Sequence, residues 1–163
     1  EANLDRYKFA DDIKVEKRPD SATVGIHFSS PSYQTDWEYE RDSNSYKRSL
    51  AGAAHVDRGS GDQITTKNIA VIEVNRSYNP NTNQGKGEWS MTTEGSGKAT
   101  LFQNGTVVEG TWKKPGVGEM LRLSDSNGRE LTFVKGQTWF EVVPPDVSVT
   151  HEERTATPPT SKQ

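Results

Sequence analysis

Residues 68–74 read Asn-Ile-Ala-Val-Ile-Glu-Val. This nearly unbroken apolar run is too short for a helix and rich in branched side chains, so it predicts a strand covered on both faces. A strand of that kind needs a layer on each side, and the flanking sequence supplies further strands. Val, Ile and Thr number 34 in the 163-residue chain, against 17 for Ala, Leu and Met. Branched residues suit a pleated, half-buried surface.

Upstream, residues 22–28 alternate, with Val24, Ile26 and Phe28 opposed by Thr23, Gly25 and His27. Residues 35–41 and 45–50 alternate as well and are joined by the turn residues Asp42-Ser43-Asn44. They predict a hairpin with Trp37, Tyr39, Tyr46 and Arg48 on one face. Downstream of a polar loop at 75–87, two Asn-Gly pairs predict tight hairpins: Asn104-Gly105 between 98–103 and 106–113, and Asn127-Gly128 between 119–124 and 130–134. A last strand over 138–143 stops at Pro144-Pro145, which cannot donate ladder hydrogen bonds. Nine or ten short strands and at most one short N-terminal helix, over residues 5–13, predict a mainly β fold. The architecture expected is an antiparallel β-sandwich or partly open barrel built of hairpins. The expected organisation is a lead-in over 1–19, a β domain over 20–145 and a flexible polar tail over 146–163.

Composition excludes several functions. There is no cysteine, which removes disulfide scaffolds, thiol nucleophiles and cysteine-ligated zinc. The net charge is −3, with no basic block, which argues against nucleic acid as a partner. No apolar run approaches the roughly 18 residues of a membrane span, so no membrane contact is expected of these residues. Gly95-Ser-Gly-Lys98 mimics a phosphate loop, but Thr92 replaces its first glycine, Ala99 its Ser/Thr, and the following residues read as a strand. No cofactor, metal site or catalytic set is expected.

Two clusters remain. His55 and Asp57 are two apart in a turn-rich stretch, and in extended chain they share a face, which suits a hydrogen-bonded pair, a weak metal site or an acid–base pair; a loop-capping histidine is the plainer account. Trp37, Tyr39, Tyr46 and Arg48 put aromatic rings beside a guanidinium, which can stack a sugar or hold a carboxylate. Cross-strand packing with Arg48 satisfied by an acid explains the same pattern. Glu38 and Glu40 alternate outward and solvate a surface. The candidate binding surface is therefore Trp37, Tyr39, Tyr46, Arg48, His55 and Asp57.

Trp37-Glu38-Tyr39, Tyr46-Lys47-Arg48, Gly52, His55, Asp57, Asn68, Phe102-x-Asn104-Gly105, Gly110-Thr111-Trp112, Asp125-x-Asn127-Gly128 and Gly136-Gln137-Thr138-Trp139 occur in an order that resembles the C-terminal domain of YerB-like lipoproteins. That is a Gram-positive family of unknown function, and the resemblance runs over about 20–145. It implies an exported parent protein, lipid-anchored at the cell envelope, with an upstream N-terminal domain that this chain lacks. It offers no catalytic residues to carry over. The expectation is a non-catalytic extracytoplasmic module that binds an envelope protein or cell-wall polymer. The alternatives are an envelope-polymer hydrolase or transferase, whose site is shared with the upstream domain, and a purely structural domain.

Overall fold

The computed structural model describes residues 6–28 and 30–155. Two sheets pack face to face as an open sandwich. Among the described residues, fifteen strands run in chain order: β1 Lys8–Ala10, β2 Ser21–His27, β3 Thr35–Glu40, β4 Ser45–Leu50, β5 Ala53–Ala54, β6 Thr65–Thr66, β7 Asn68–Glu73, β8 Arg76–Asn79, β9 Glu88–Met91, β10 Gly95–Gln103, β11 Thr106–Lys114, β12 Arg122–Asp125, β13 Thr132–Val134, β14 Thr138–Val143 and β15 Ser148–Arg154. One sheet has the order β12-β11-β10-β7-β14; the other has β15-β2-β3-β4-β5, with β6 also on β4. The helical segments among the described residues are three-residue 3-10 turns.

The stretch at 68–74 behaves as its composition demands. Asn68 through Ile72 are all buried, and the two faces of β7 serve two cores. Ile69 and Val71 pack between the sheets with Val24, Ile26, Trp37, Tyr39, Tyr46 and Phe102. Ala70, Ile72 and Val74 face the other way, onto Leu101, Trp112, Leu123 and Phe133. The second core is closed by β13 and its parallel partner β1, with Tyr7 edge-on to Phe133 at 5.1 Å.

The Asn104-Gly105 hairpin forms as expected, both residues at positive φ (56° and 75°), the requirement of a type I′ turn. A Cβ on Gly105 would lie 2.4 Å from Pro19 Cγ and 2.7 Å from Tyr39 Cε1, so that turn is also packed into the body.

Four expectations need correction. The segment 5–13 forms no helix over its described residues; Lys8–Ala10 is extended because pairing with β13 places Tyr7 and Phe9 on Phe133. Asn127-Gly128 makes a turn, with Asp125 accepting from the Asn127 and Arg129 N–H groups, but only one bridge, Ser124 to Glu130, follows it. Beyond that bridge β13 leaves to join β1. The sandwich is not wholly antiparallel either, since β14 lies parallel to β7. Finally, the segment expected to be a flexible tail contains β15, which pairs with β2 over seven residues and lays Val149 on the core. Residues 156–163 lie outside the described ones.

Candidate functional site

The β3–β4 hairpin places Trp37 opposite Arg48 and Tyr39 opposite Tyr46, the face the alternation predicts. That face is turned inward. Trp37 is 1% exposed, Tyr39 3%, Tyr46 0% and Arg48 7%. As an open binding surface the set of six does not exist, because these four side chains fill the space between the sheets. The structure also divides them.

Tyr39 and Tyr46 meet at 5.1 Å with their rings tilted by 51° and belong to a hydrogen-bond network at one end of the sandwich. The Tyr39 hydroxyl donates to Asn44 Oδ1 (2.6 Å), the Asn44 amide donates to Asn104 Oδ1 (2.8 Å), and the Gly105 N–H donates to the Tyr46 hydroxyl (3.0 Å). The network ties the β3–β4 turn to the β10–β11 turn. Burial pushes the Tyr39 phenol up to about 12 and raises Tyr46 further, so both stay neutral donors and acceptors.

Trp37 and Arg48 form the second group, completed by two residues of β14. The guanidinium packs against both the Trp37 and Trp139 rings, 5.6 and 4.9 Å from their centroids, and the rings meet each other edge-on at 5.6 Å. Arg48 Nη2 donates to Thr35 Oγ1 (3.0 Å) and stands 3.7 Å from Glu141 Oε1, while Nη1 contacts His55 Nδ1. A guanidinium only donates, so Nδ1 accepts and the imidazole proton sits on Nε2. Burial raises the Glu141 carboxyl above the ordinary carboxylate value, opposed by Arg48 and the neighbouring indole N–H groups. Burial likewise lowers Arg48, opposed by Glu141. Arg48 Nε, Trp37 Nε1 and Glu141 Oε1 are buried without a hydrogen bond.

The backbone of Arg48 anchors the loop that follows. Its N–H donates to Ile64 O, and its carbonyl accepts from the His55 N–H and from Gln63 Nε2. Residues 55–64 therefore leave the β4 edge and return to it as a pinned excursion, whose tip Asp57 closes. One Asp57 oxygen accepts the Gly59 and Ser60 N–H groups, which holds its carboxyl below the usual range. Asp57 thus serves its own turn and His55 turns to Arg48, which accords with the plainer account of a histidine that anchors its loop.

Beside the excursion lies an open groove of about 560 Å³, lined by Asp57, Ser60, Asp62, Gln63, Ile64, Thr66, Gln137, Thr138 and Trp139. One wall is an indole fixed by Arg48 and Trp37; apart from Ile64, the rest is hydroxyl, amide and carboxylate. A rigid aromatic face with several convergent hydrogen-bonding groups can hold a polar ring by stacking and hydrogen bonding. Trp139 and Glu141 were not among the expected site residues. Their signal was the period of two in β14, which puts Trp139, Glu141 and Val143 on one face and so sends a carboxylate inward.

A family model described as "Protein of unknown function (DUF3048) C-terminal domain" matches residues 24–140. The chain is 31% identical over 109 residues to "Putative lipoprotein YerB" of Bacillus subtilis (strain 168), covering 67% of this chain and 31% of that protein. It is also similar to the crystal structure of YerB from Bacillus subtilis, with a TM-score of 0.66 and 25% identity, over 82% of this chain and 45% of that one. The chain thus spans about a third of the length of the lipoprotein it matches.

Proposed function

The chain belongs to the family of C-terminal domains of the DUF3048 proteins of unknown function, and on that premise we propose that it is a non-catalytic extracytoplasmic module that binds a cell-wall polymer in the groove beside Trp139. The observation that carries this reading is the immobilised indole. Trp139 is held on one side by Arg48 and Trp37 and borders a groove whose other walls carry Gln63, Thr66, Gln137 and Thr138. An aromatic wall ordered before binding loses little entropy when a ring stacks on it. The similarity to a lipoprotein supports a place at the cell envelope for the parent protein, facing such a polymer.

A catalytic reading needs an acid and a base within reach of a substrate. Asp57 is committed to its turn and held ionised, and Glu141 is sealed against Arg48. Neither is poised to exchange a proton with a ligand, which favours binding over hydrolysis or transfer. Nor does the aromatic face act as the recognition surface: Tyr39 and Tyr46 serve the architecture.

The test is co-sedimentation with purified cell-wall sacculi. Wild type pellets with the sacculi; Trp139→Ala and Asp62→Ala each lose about tenfold in affinity, the scale of one lost stacking or charged hydrogen-bond contact. Trp139→Phe keeps most of it. Equal pelleting of wild type and both alanine variants overturns the proposal, as does failure of the wild type to pellet.

A further inference from the structure

The six-stranded sheet has a second face, turned away from the core, and its centre is Gly25. The backbone of Gly25 is not in the left-handed region, so its conformation does not call for glycine. Register places it between Thr150 of β15 and Asp36 of β3, with Ser49 next along the row. His27 lies two residues on, on the same face. A Cβ at Gly25 would fall 2.7 Å from His27 Nε2, 2.7 Å from Thr150 Oγ1 and 3.4 Å from Asp36 Oδ1. An imidazole, a hydroxyl and a carboxylate from three strands therefore converge over one mid-strand glycine. Glycine inside a strand weakens it and marks places of close approach.

The polar groups there have unspent hydrogen-bonding capacity. The one contact between them is His27 Nε2 to Asp36 Oδ1 at 3.8 Å, with both side chains more than 40% exposed. The depression around them measures about 370 Å³ and is also lined by Thr23, Glu38 and Ser49. We propose that this depression is a second ligand site, which takes one ring of a neutral polyhydroxylated molecule, a saccharide. Each hydroxyl of such a ring donates to Asp36 or Glu38, which only accept, and accepts from Thr23, Ser49 or Thr150, which do both. The two carboxylates, with no Lys or Arg in the lining, repel an anionic ring. The His27 and Thr150 side chains lie over Gly25, so the ring rests on them and on the neighbouring carboxylates and hydroxyls of the row. The site is on a different surface from the Trp139 groove and stands independently of it.

The test is an NMR titration of the full chain with chitotriose, and with trigalacturonate as the anionic counterpart. Saturable shifts with chitotriose are expected at amides 23–27, 36–38, 49 and 150, and none there with trigalacturonate. Gly25→Ala fills the depression and Thr150→Val removes one hydroxyl; each weakens the response about tenfold, the loss of one or two hydrogen bonds. Gly25→Ala leaves the backbone unstrained but turns the His27 and Thr150 side chains aside, so Thr150→Val, which adds no atom to the row, carries the test if Gly25→Ala lowers the thermal midpoint. Trp139→Ala leaves these shifts in place while weakening sacculus retention about tenfold, which separates the two proposals. Absence of shifts at these amides, undiminished shifts in Gly25→Ala and Thr150→Val, or equal shifts with trigalacturonate overturns the inference.

Discussion

Arg48 of β4 and Glu141 of β14 meet across the gap between the two sheets, 3.7 Å apart, with 8% and 9% of their side chains exposed. The pair is the polar centre of an otherwise apolar interface, and it joins strands 93 residues apart in sequence. Its geometry also holds Trp139 at the groove. The guanidinium occupies the space against that ring and, through its backbone, fixes the loop that forms the opposite wall.

Breaking one half of this pair leaves the other charge buried. Arg48→Ala is expected to lower unfolding stability by about 3–5 kcal/mol, the usual cost of a stranded buried charge. The double variant Arg48→Met, Glu141→Leu regains most of that loss, because an apolar pair of similar volume needs no desolvation. Urea unfolding of the three proteins checks both statements. A double variant no more stable than Arg48→Ala would mean that the lost Thr35 and His55 contacts, not the stranded Glu141, carry the cost.

The pH dependence of stability should contain two opposed contributions. Glu141 is raised in the folded state by burial, so the folded protein holds its proton more tightly than the unfolded chain does. Its contribution is complete below the unfolded carboxylate value and fades as pH rises through the folded one. Asp125 is lowered, chiefly by the Arg129 backbone N–H, so its contribution is present above the unfolded value and is lost as pH falls through the folded one. Measured by urea midpoints, Glu141→Gln should therefore cost more at pH 4 than at pH 8, and Asp125→Asn more at pH 8 than at acid pH. A Glu141→Gln penalty that grows with pH would reverse the assigned sign.

Two glycines at the same backbone conformation should respond differently to a methyl group. Gly128 and Gly105 have φ of 77° and 75°, but a Cβ on Gly128 meets nothing within 4 Å, while one on Gly105 runs into Pro19 and Tyr39. Gly128→Ala should cost about 1 kcal/mol for the left-handed backbone alone. Gly105→Ala should cost about 2–4 kcal/mol, the same backbone cost plus about 1–3 kcal/mol of overpacking. Thermal and urea unfolding of both variants read the difference. Equal losses would place Gly105 outside the packed interface.

The strands were legible wherever alternation and turn chemistry agreed. Residues 35–40 and 45–50 form the hairpin their pattern describes, and Asn104-Gly105 makes the turn that both residues tolerate at positive φ. β15 was not legible. Its residues carry a single valine, Val149, among polar and charged side chains, and an edge strand with one face in water needs no more apolar character than that. The polar loop at 75–87 likewise hid β8 and part of the ribbon it makes with β9, whose exposed Tyr78 and Trp89 rings meet at 5.1 Å, tilted by 47°.

The candidate site separates the two levels most sharply. A period of two establishes by itself that Trp37, Tyr39, Tyr46 and Arg48 share a face, since the pleat sends alternate side chains to the same side. The unbroken apolar run at 68–74 likewise establishes a strand between two layers, and turn chemistry places turns at the Asn-Gly pairs. Which way the aromatic face points is a different matter, because rings and a guanidinium suit both a wet ligand surface and a paired interior. That was decided by β14, which lies parallel to β7 and brings Trp139 and Glu141 onto the same gap. Only a long-range pairing of this kind could supply the buried carboxylate that lets an arginine lie inside, and no local pattern around residue 48 encodes it.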